Sequence, residues 1–223
     1  MSNALMEKWA AKTETLGSWL SLPDSHAAET VARVDFDYVC VDMQHGIADY
    51  QVAAVMLQAV TMTGKGTPIC RVPWNEPGII GRMLDAGARG IIIPMVNSVA
   101  EAESAVAATK YPPLGQRSYG PTIIGARAAN AGEDYYPNAN QTNACIPMIE
   151  TRDAVENLDA ILAVEGVDAI YVGPADLSLS YGYGPAYSDD NEEYKEVLEY
   201  IVERCNKAGK VAGIHSTSAL AAN

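Results

Sequence analysis

The sequence predicts an α/β protein built as a parallel (β/α)8 barrel, and three observations carry that reading. Short apolar runs alternate with stretches of helical period along the chain. Most of those runs are continuously apolar, as strands must be when a parallel sheet is covered by helices on both faces. Polar residues recur at the carboxyl end of run after run: Asp42 and His45, Arg71, Glu150, Asp176 and His215. That is where a barrel builds its site. A doubly wound sheet is the competing architecture, but no Gly-rich dinucleotide fingerprint follows any strand, so the barrel is favoured.

The elements follow in order. With 223 residues, 48% of them hydrophobic, the chain can bury one large core, and residues 1–223 read as a single domain. Met1 to Ala4 are set aside as a candidate cloning remnant. Gly17 to Leu20 is the first strand. Ser25 to Val34 is helical, with Asp24 placed to cap it. Tyr38 to Asp42 is the second strand, and a helix from Tyr50 stops at Gly64. Pro68 to Val72 is the third strand, followed by PWNEPG and a helix to Ala86. Gly90 to Met95 is the fourth strand, and Ser98 to Thr109 is helical. Tyr111 to Thr142 reads as a long irregular segment, and such loops often carry function. Cys145 to Ile149 and Ala169 to Val172 are strands five and six, with a helix from Arg152 to Ala163 between them. Asn191 to Ala208 is a long helix, acidic at its start and basic near its end, as the helix dipole favours. Val211 to Ile214 is the seventh strand. The closing stretch STSALAAN reads as the start of another helix, so the eighth strand is expected to be missing from this sequence.

Composition narrows the function. A net charge of −13 argues against a general nucleic-acid binder. No apolar run is long enough for a membrane span, and MSNALMEKWA lacks the layout of a secretory signal, so a cytoplasmic protein is expected. Cys40, Cys70, Cys145 and Cys205 are too widely spaced for a zinc site or a disulfide framework. They read as buried thiols.

The strand-end residues carry the chemistry. Glu150 ends the fifth strand and Asp176 follows the sixth. Neighbouring parallel strands lie about 5 Å apart, so the two carboxylates can converge. Oxygen ligands with room for water suit a hard cation such as Mg2+ or Mn2+. The plain alternative is that both acids cap helices or turns. Arg71 ends the third strand in CRVPW, where its fork can grip a carboxylate or polarise a carbonyl, or pair with a nearby strand-end acid. In GPAD, Gly173 permits close approach, and the Ala175 and Asp176 amides can face an anion. His45 follows the second strand with Asp42 close in sequence; a carboxylate there can fix the imidazole tautomer and raise its basicity. A lone histidine is more often structural, and the case for His45 rests on the company of Arg71 and the two acids.

Together these residues resemble the HpcH/HpaI aldolase/citrate lyase family, the metal-dependent (class II) pyruvate aldolases. The resemblance runs from about Leu16 to Ser216. It rests on DYVCVDMQHG, PICRVPWNEPGIIGRMLDAGARGIIIPMV, KYPPLGQRSYGP and IPMIETRDAVENLDAILAVEGVDAIYVGPADLS. The resemblance implies a (β/α)8 barrel assembled as a homo-oligomer, usually a hexamer with exchanged C-terminal helices. It implies a divalent metal (Mg2+ or Mn2+, with Co2+ as a further option) on Glu150 and Asp176. His45 would be catalytic and Asp42 its paired acid, with Arg71 gripping substrate. The amides of Ala175 and Asp176 would hold the pyruvate carboxylate.

The implied reaction is reversible cleavage of a 4-hydroxy-2-oxo acid to pyruvate and an aldehyde, with no lysine Schiff base. Two positions depart from the family pattern at the site: Met148 stands where Gln is common, and Gln44 where Glu is common. Arg117 in LGQRSYGP resembles a loop near the barrel mouth and is a candidate substrate contact or loop anchor. Trp74 is a candidate pocket wall or a helix-sheet packing residue. His215 has no role to transfer and reads as structural. Two other functions compete: a citrate-lyase-like acyl-CoA lyase, for which no clear Lys/Arg cluster is available, and a non-catalytic binder of small oxo acids.

Overall fold

The computed structural model describes residues 3–121, 135–185 and 191–216. Its strands are β1 (Gly17–Leu20), β2 (Tyr38–Asp42), β3 (Thr67–Arg71), β4 (Gly90–Ile93), β5 (Ala144–Ile149), β6 (Ala169–Val172) and β7 (Val211–Ile214). All are parallel and pair in sequence order. A doubly wound sheet would reverse that order at a switch point, and this one does not. Helix α1 (Ala4–Ala10) precedes β1. The connections carry α2 (Ser25–Ala32), α3 (Tyr50–Met62), α4 (Pro77–Asp85), α5 (Val99–Thr109), α6 (Tyr135–Thr142), α7 (Arg152–Glu156), α8 (Leu158–Leu162), α9 (Pro174–Ser180) and α10 (Glu192–Ala208). Among the described residues no helix is long and apolar enough to cross a membrane.

The sheet is curled. Laid flat, β1 and β6 would stand about 24 Å apart at the usual strand spacing. Instead Trp19 of β1 stacks on Tyr171 of β6 with 5.5 Å between ring centroids. The Tyr38 and Tyr171 hydroxyls lie 3.4 Å apart. The result is a barrel-like sheet whose edge strands β1 and β7 face each other. The expected helix start at the chain end falls on residues 217–223, which lie outside the described residues.

Side-chain parity along each strand sets what faces the axis. Cys40, Ile69, Ile92, Ile146, Met148 and Tyr171 form an inner cluster. Val39, Val41, Cys70, Ile91, Ile93, Ile149, Ile170 and Val172 belong to the larger layer between sheet and helices. Continuing the inner parity by one step gives Asp42, Arg71 and Glu150. The period-two alternation that builds the inner core therefore also aims three polar groups at the axis, where the strands end.

Four local features differ from the sequence reading. Helix α1 was not anticipated. Asn3, in the segment set aside, is buried; its side chain accepts from the Leu5 and Met6 N–H groups and donates to the Arg89 and Thr142 carbonyls at 2.9 and 2.8 Å. Leu5 then plugs the inner cluster. Strand β4 stops at Ile93, and Met95 adopts a positive φ of 55°. The predicted helix over 152–163 is broken at Asn157, whose side-chain amide donates to the Asn97 carbonyl at 2.8 Å. Helix α6 lies in the stretch read as irregular, and residues 122–134 of that stretch lie outside the described ones.

Candidate active site

Asp42 and Arg71 are register partners on β2 and β3. Arg71 Nε donates to Asp42 Oδ1 at 2.8 Å and Nη2 to Oδ2 at 2.6 Å. Asp42 Oδ1 also accepts from the backbone N–H of Gln44 at 3.0 Å and of His45 at 3.4 Å. Burial pushes the Asp42 carboxyl up, but Arg71, the Trp19 indole and the Gln44 N–H outweigh it and hold it below the usual carboxylate range. This corrects the expected pairing of Asp42 with the imidazole. The carboxylate is committed to Arg71, and it holds His45 only through the backbone turn. The His45 side chain stands exposed at the rim.

Two aromatic groups join this pair; the sequence singles out His215 only as structural and gives Trp19 no role. The Arg71 guanidinium lies 4.9 Å from the Trp19 ring centroid. His215, just past β7, meets Trp19 edge-on at 4.7 Å. Burial first, then the Arg71 charge, lower the His215 pKa, with Asp42 opposing them. So His215, read as structural, sits beside the site. Trp19 was hidden because GSWL reads as any core strand; only its inner parity marks it.

Glu150 ends β5 and is 1% exposed. Its Oε1 accepts from the Met95 N–H at 2.7 Å. The positive φ of Met95 turns that amide inward, a backbone conformation uncommon outside glycine. Burial pushes the Glu150 carboxyl up; the Met95 N–H opposes this, Asp176 adds to it and Arg71 opposes it, with a net pKa of about 7. Gly173 makes the space: a Cβ there would sit 2.2 Å from Glu150 Oε2 and 2.9 Å from the Met148 Cε. Met148 thus lies beside Glu150 on the inner side.

Asp176 lies in the first turn of α9, exposed, with Pro174 opening the helix and no side chain capping it. The first amide of the helix to find a helical acceptor is that of Leu177, bonded to the Gly173 carbonyl at 3.0 Å. The Ala175 and Asp176 N–H groups precede it and are left for an acceptor from outside the helix. One buried carboxylate, a second close enough to raise it and no cationic hydrogen-bond donor on Glu150 among the described residues form an all-oxygen set that fits a hard divalent cation. Among the described residues no group of three or more His, Cys, Asp or Glu side chains gathers for a metal, so water or substrate oxygens would complete the coordination.

The remaining expected site residues part company. Arg117 is buried and bonds Asp85 at 2.6 Å, with its guanidinium 4.5 Å from the Tyr111 ring centroid. Asp85 ends α4, and the Arg117 N–H donates to the carbonyl of Lys110, just past α5. Helix ends of a barrel lie at the face opposite the strand carboxyl ends. Arg117 therefore anchors a loop on the far face and is not at the mouth. Trp74 is 57% exposed, which removes the packing alternative and leaves its ring on the rim. Gln44 Oε1 is buried and has no hydrogen-bond partner among the described residues.

The chain belongs to the HpcH/HpaI aldolase/citrate lyase family, whose model matches residues 15–223. It is 40% identical over 212 residues to a hydroxypyruvate/pyruvate aldolase of Rhizorhabdus wittichii, covering 95% of this chain and 83% of that one. It is 37% identical over 214 residues to a 4-hydroxy-2-oxo-heptane-1,7-dioate aldolase of Salmonella dublin, covering 96% of this chain and 80% of that one. The fold superposes on a family member from Burkholderia cenocepacia with a TM-score of 0.90 at 32% identity, covering 99% of this chain and 87% of that one.

Proposed function

We propose that this protein is a class II aldolase that reversibly cleaves a 4-hydroxy-2-oxo acid to pyruvate and an aldehyde. One observation carries the reading: buried Glu150, raised to about 7 and beside Asp176, lies across from an arginine braced by Asp42. The names of the relatives at 37–40% identity agree with it.

Glu150 and Asp176 would hold the divalent cation, Mg2+ or Mn2+ by donor type, with Co2+ as a further option. When bound, the cation supplies a Lewis acid at the keto oxygen. Asp42 occupies Arg71 Nε and one N–H of Nη2, which leaves three guanidinium N–H bonds for the keto oxygen and the enolate it becomes. The Ala175 and Asp176 amides donate to the substrate carboxylate. His45 takes the proton from the C4 hydroxyl as the C3–C4 bond breaks. The bond's electron pair passes to the enolate of pyruvate, C4 leaves as the aldehyde, and protonation at C3 completes pyruvate. The exposed position of His45 fits a group that works at C4, outside the buried pyruvate end. Family resemblance adds a homo-oligomer, a hexamer.

The experiment is a pyruvate-release screen over 4-hydroxy-2-oxo acids, with and without Mn2+, on wild type and His45→Ala. The reading expects metal-dependent release that His45→Ala lowers by about two orders of magnitude or more. Equal cleavage by EDTA-stripped and metal-loaded protein sinks it.

A further inference from the structure

The two sides of the mouth differ in chemistry. The β5–β6 side carries Glu150, Asp176 and the first-turn amides of α9. On the other side, the loops after β1, β2 and β3 each present one large apolar side chain to solvent: Leu22 at 66%, Ile47 at 75% and Trp74 at 57% exposure. These loops touch. The Ile47 N–H donates to the Ser21 carbonyl at 3.1 Å, and the Met43 N–H to the Arg71 carbonyl at 2.9 Å. Gly46 permits the first contact, since a Cβ there would lie 3.3 Å from Ser21 Cα and 2.1 Å from the Asp42 carbonyl oxygen. His45, the proposed C4 base, stands next to Ile47 in the middle of these three loops. Singly exposed apolar residues are ordinary, but three on consecutive strand-end loops around one functional histidine form a surface.

The cap residues behind that surface are all acidic, and a cation on the same helices, Arg82 of α4, lies over the Tyr50 ring at 3.6 Å from its centroid. Asp24, Asp49 and Glu76 are the N-cap residues of α2, α3 and α4, directly after the same three loops, and all are exposed. Arg71 is turned inward onto Asp42, and Arg117 is buried on the far face. Among the described residues, none of the three loops between its strand and its cap carries a lysine, or an arginine beyond the strand-end Arg71.

We propose that Leu22, Ile47 and Trp74 form the subsite for the aldehyde half of the substrate, and that this subsite selects uncharged aldehydes with an apolar chain over aldehydes bearing a terminal carboxylate. The inference rests on the aldolase reading, which sends whatever lies beyond C4 past His45 and onto this rim. An apolar tail is then desolvated by the three side chains. A carboxylate tail would lose water against apolar groups and face three acids, and none of the three loops supplies a lysine or a further arginine to pair it.

The test is the rate of aldol addition of pyruvate to butanal and to 4-oxobutanoate, which have equal carbon chains, on metal-loaded wild type. Metal-dependent exchange of the pyruvate methyl protons is followed in parallel without aldehyde. A kcat/KM ratio of about tenfold or more in favour of butanal is expected, and a cation introduced by Ile47→Arg or Trp74→Arg should shift the ratio toward 4-oxobutanoate by about tenfold. Proton exchange with a ratio near unity, or one that neither variant moves, overturns the inference and leaves the aldolase reading standing. Absence of both exchange and addition overturns the two together. If instead either variant dissociates an oligomer into monomers in sedimentation, the rim is an interface between copies, and the subsite assignment is wrong.

Discussion

Arg71 and Asp42 stand opposite each other in register and bond through two contacts, at 2.8 and 2.6 Å, inside the strand-end ring. The pair fixes the guanidinium plane and leaves its other edge without a hydrogen-bond acceptor among the described residues. Removing one partner strands a buried charge. Arg71→Leu should lower unfolding free energy by about 3–5 kcal/mol, and Asp42→Asn added to it should restore much of that loss. Urea unfolding of the two variants checks this; equal stability of both would mean that the pair is not buried as described.

Gly173→Ala places a methyl 2.2 Å from Glu150 Oε2. The backbone there has an ordinary negative φ of −94°, so the cost falls on the carboxylate and not on the turn. Mn2+ affinity should fall by about tenfold or more while the far-UV circular dichroism is retained. Calorimetric titration measures it.

The Glu150 carboxyl titrates near 7, raised from 4.5, chiefly by burial. A raised acid favours the folded state while protonated, so its contribution is full below about 4.5 and is lost as pH rises through about 7 in metal-free protein. A cation competes with that proton. Mn2+ affinity should therefore rise by about tenfold per pH unit approaching 7 and level off above it, and Glu150→Gln should abolish the dependence. Titrations between pH 5.5 and 8 (about the reach of common buffers) give the slope.

Arg117→Lys should lower the melting temperature and leave kcat/KM for pyruvate release within about threefold of wild type. The side chain is fully buried against Asp85 on the face away from the strand ends. A large loss of kcat/KM without loss of stability would return Arg117 to the site.

Much of this architecture is legible in the sequence, because continuous apolar runs fix the strands and a shared parity fixes what their ends deliver. Arg71 and Glu150 are found that way. What stays hidden is whatever depends on register or backbone. Asp42 is three residues from His45 in sequence, so the imidazole looks like its partner; the β2–β3 register instead puts Arg71 opposite. The Met95 amide that binds Glu150 is a backbone group exposed by a positive φ, and no residue type announces it. Arg117 stays open between substrate contact and loop anchor in the sequence, because a motif gives the composition of a loop but not the face it covers. Asn3 was set aside, and its cap and two carbonyl contacts appear only once strands β4 and β5 are brought together.

In the proposed reaction, Glu150 and Asp176 support enolate formation from pyruvate. Deuterium exchange into the pyruvate methyl group, followed by proton NMR in deuterated buffer, measures that step without any aldehyde. Exchange is expected with Mn2+ or Mg2+ present and should disappear with EDTA and in Glu150→Gln. Exchange that persists in EDTA, or tight metal-dependent pyruvate binding with no exchange, would contradict it.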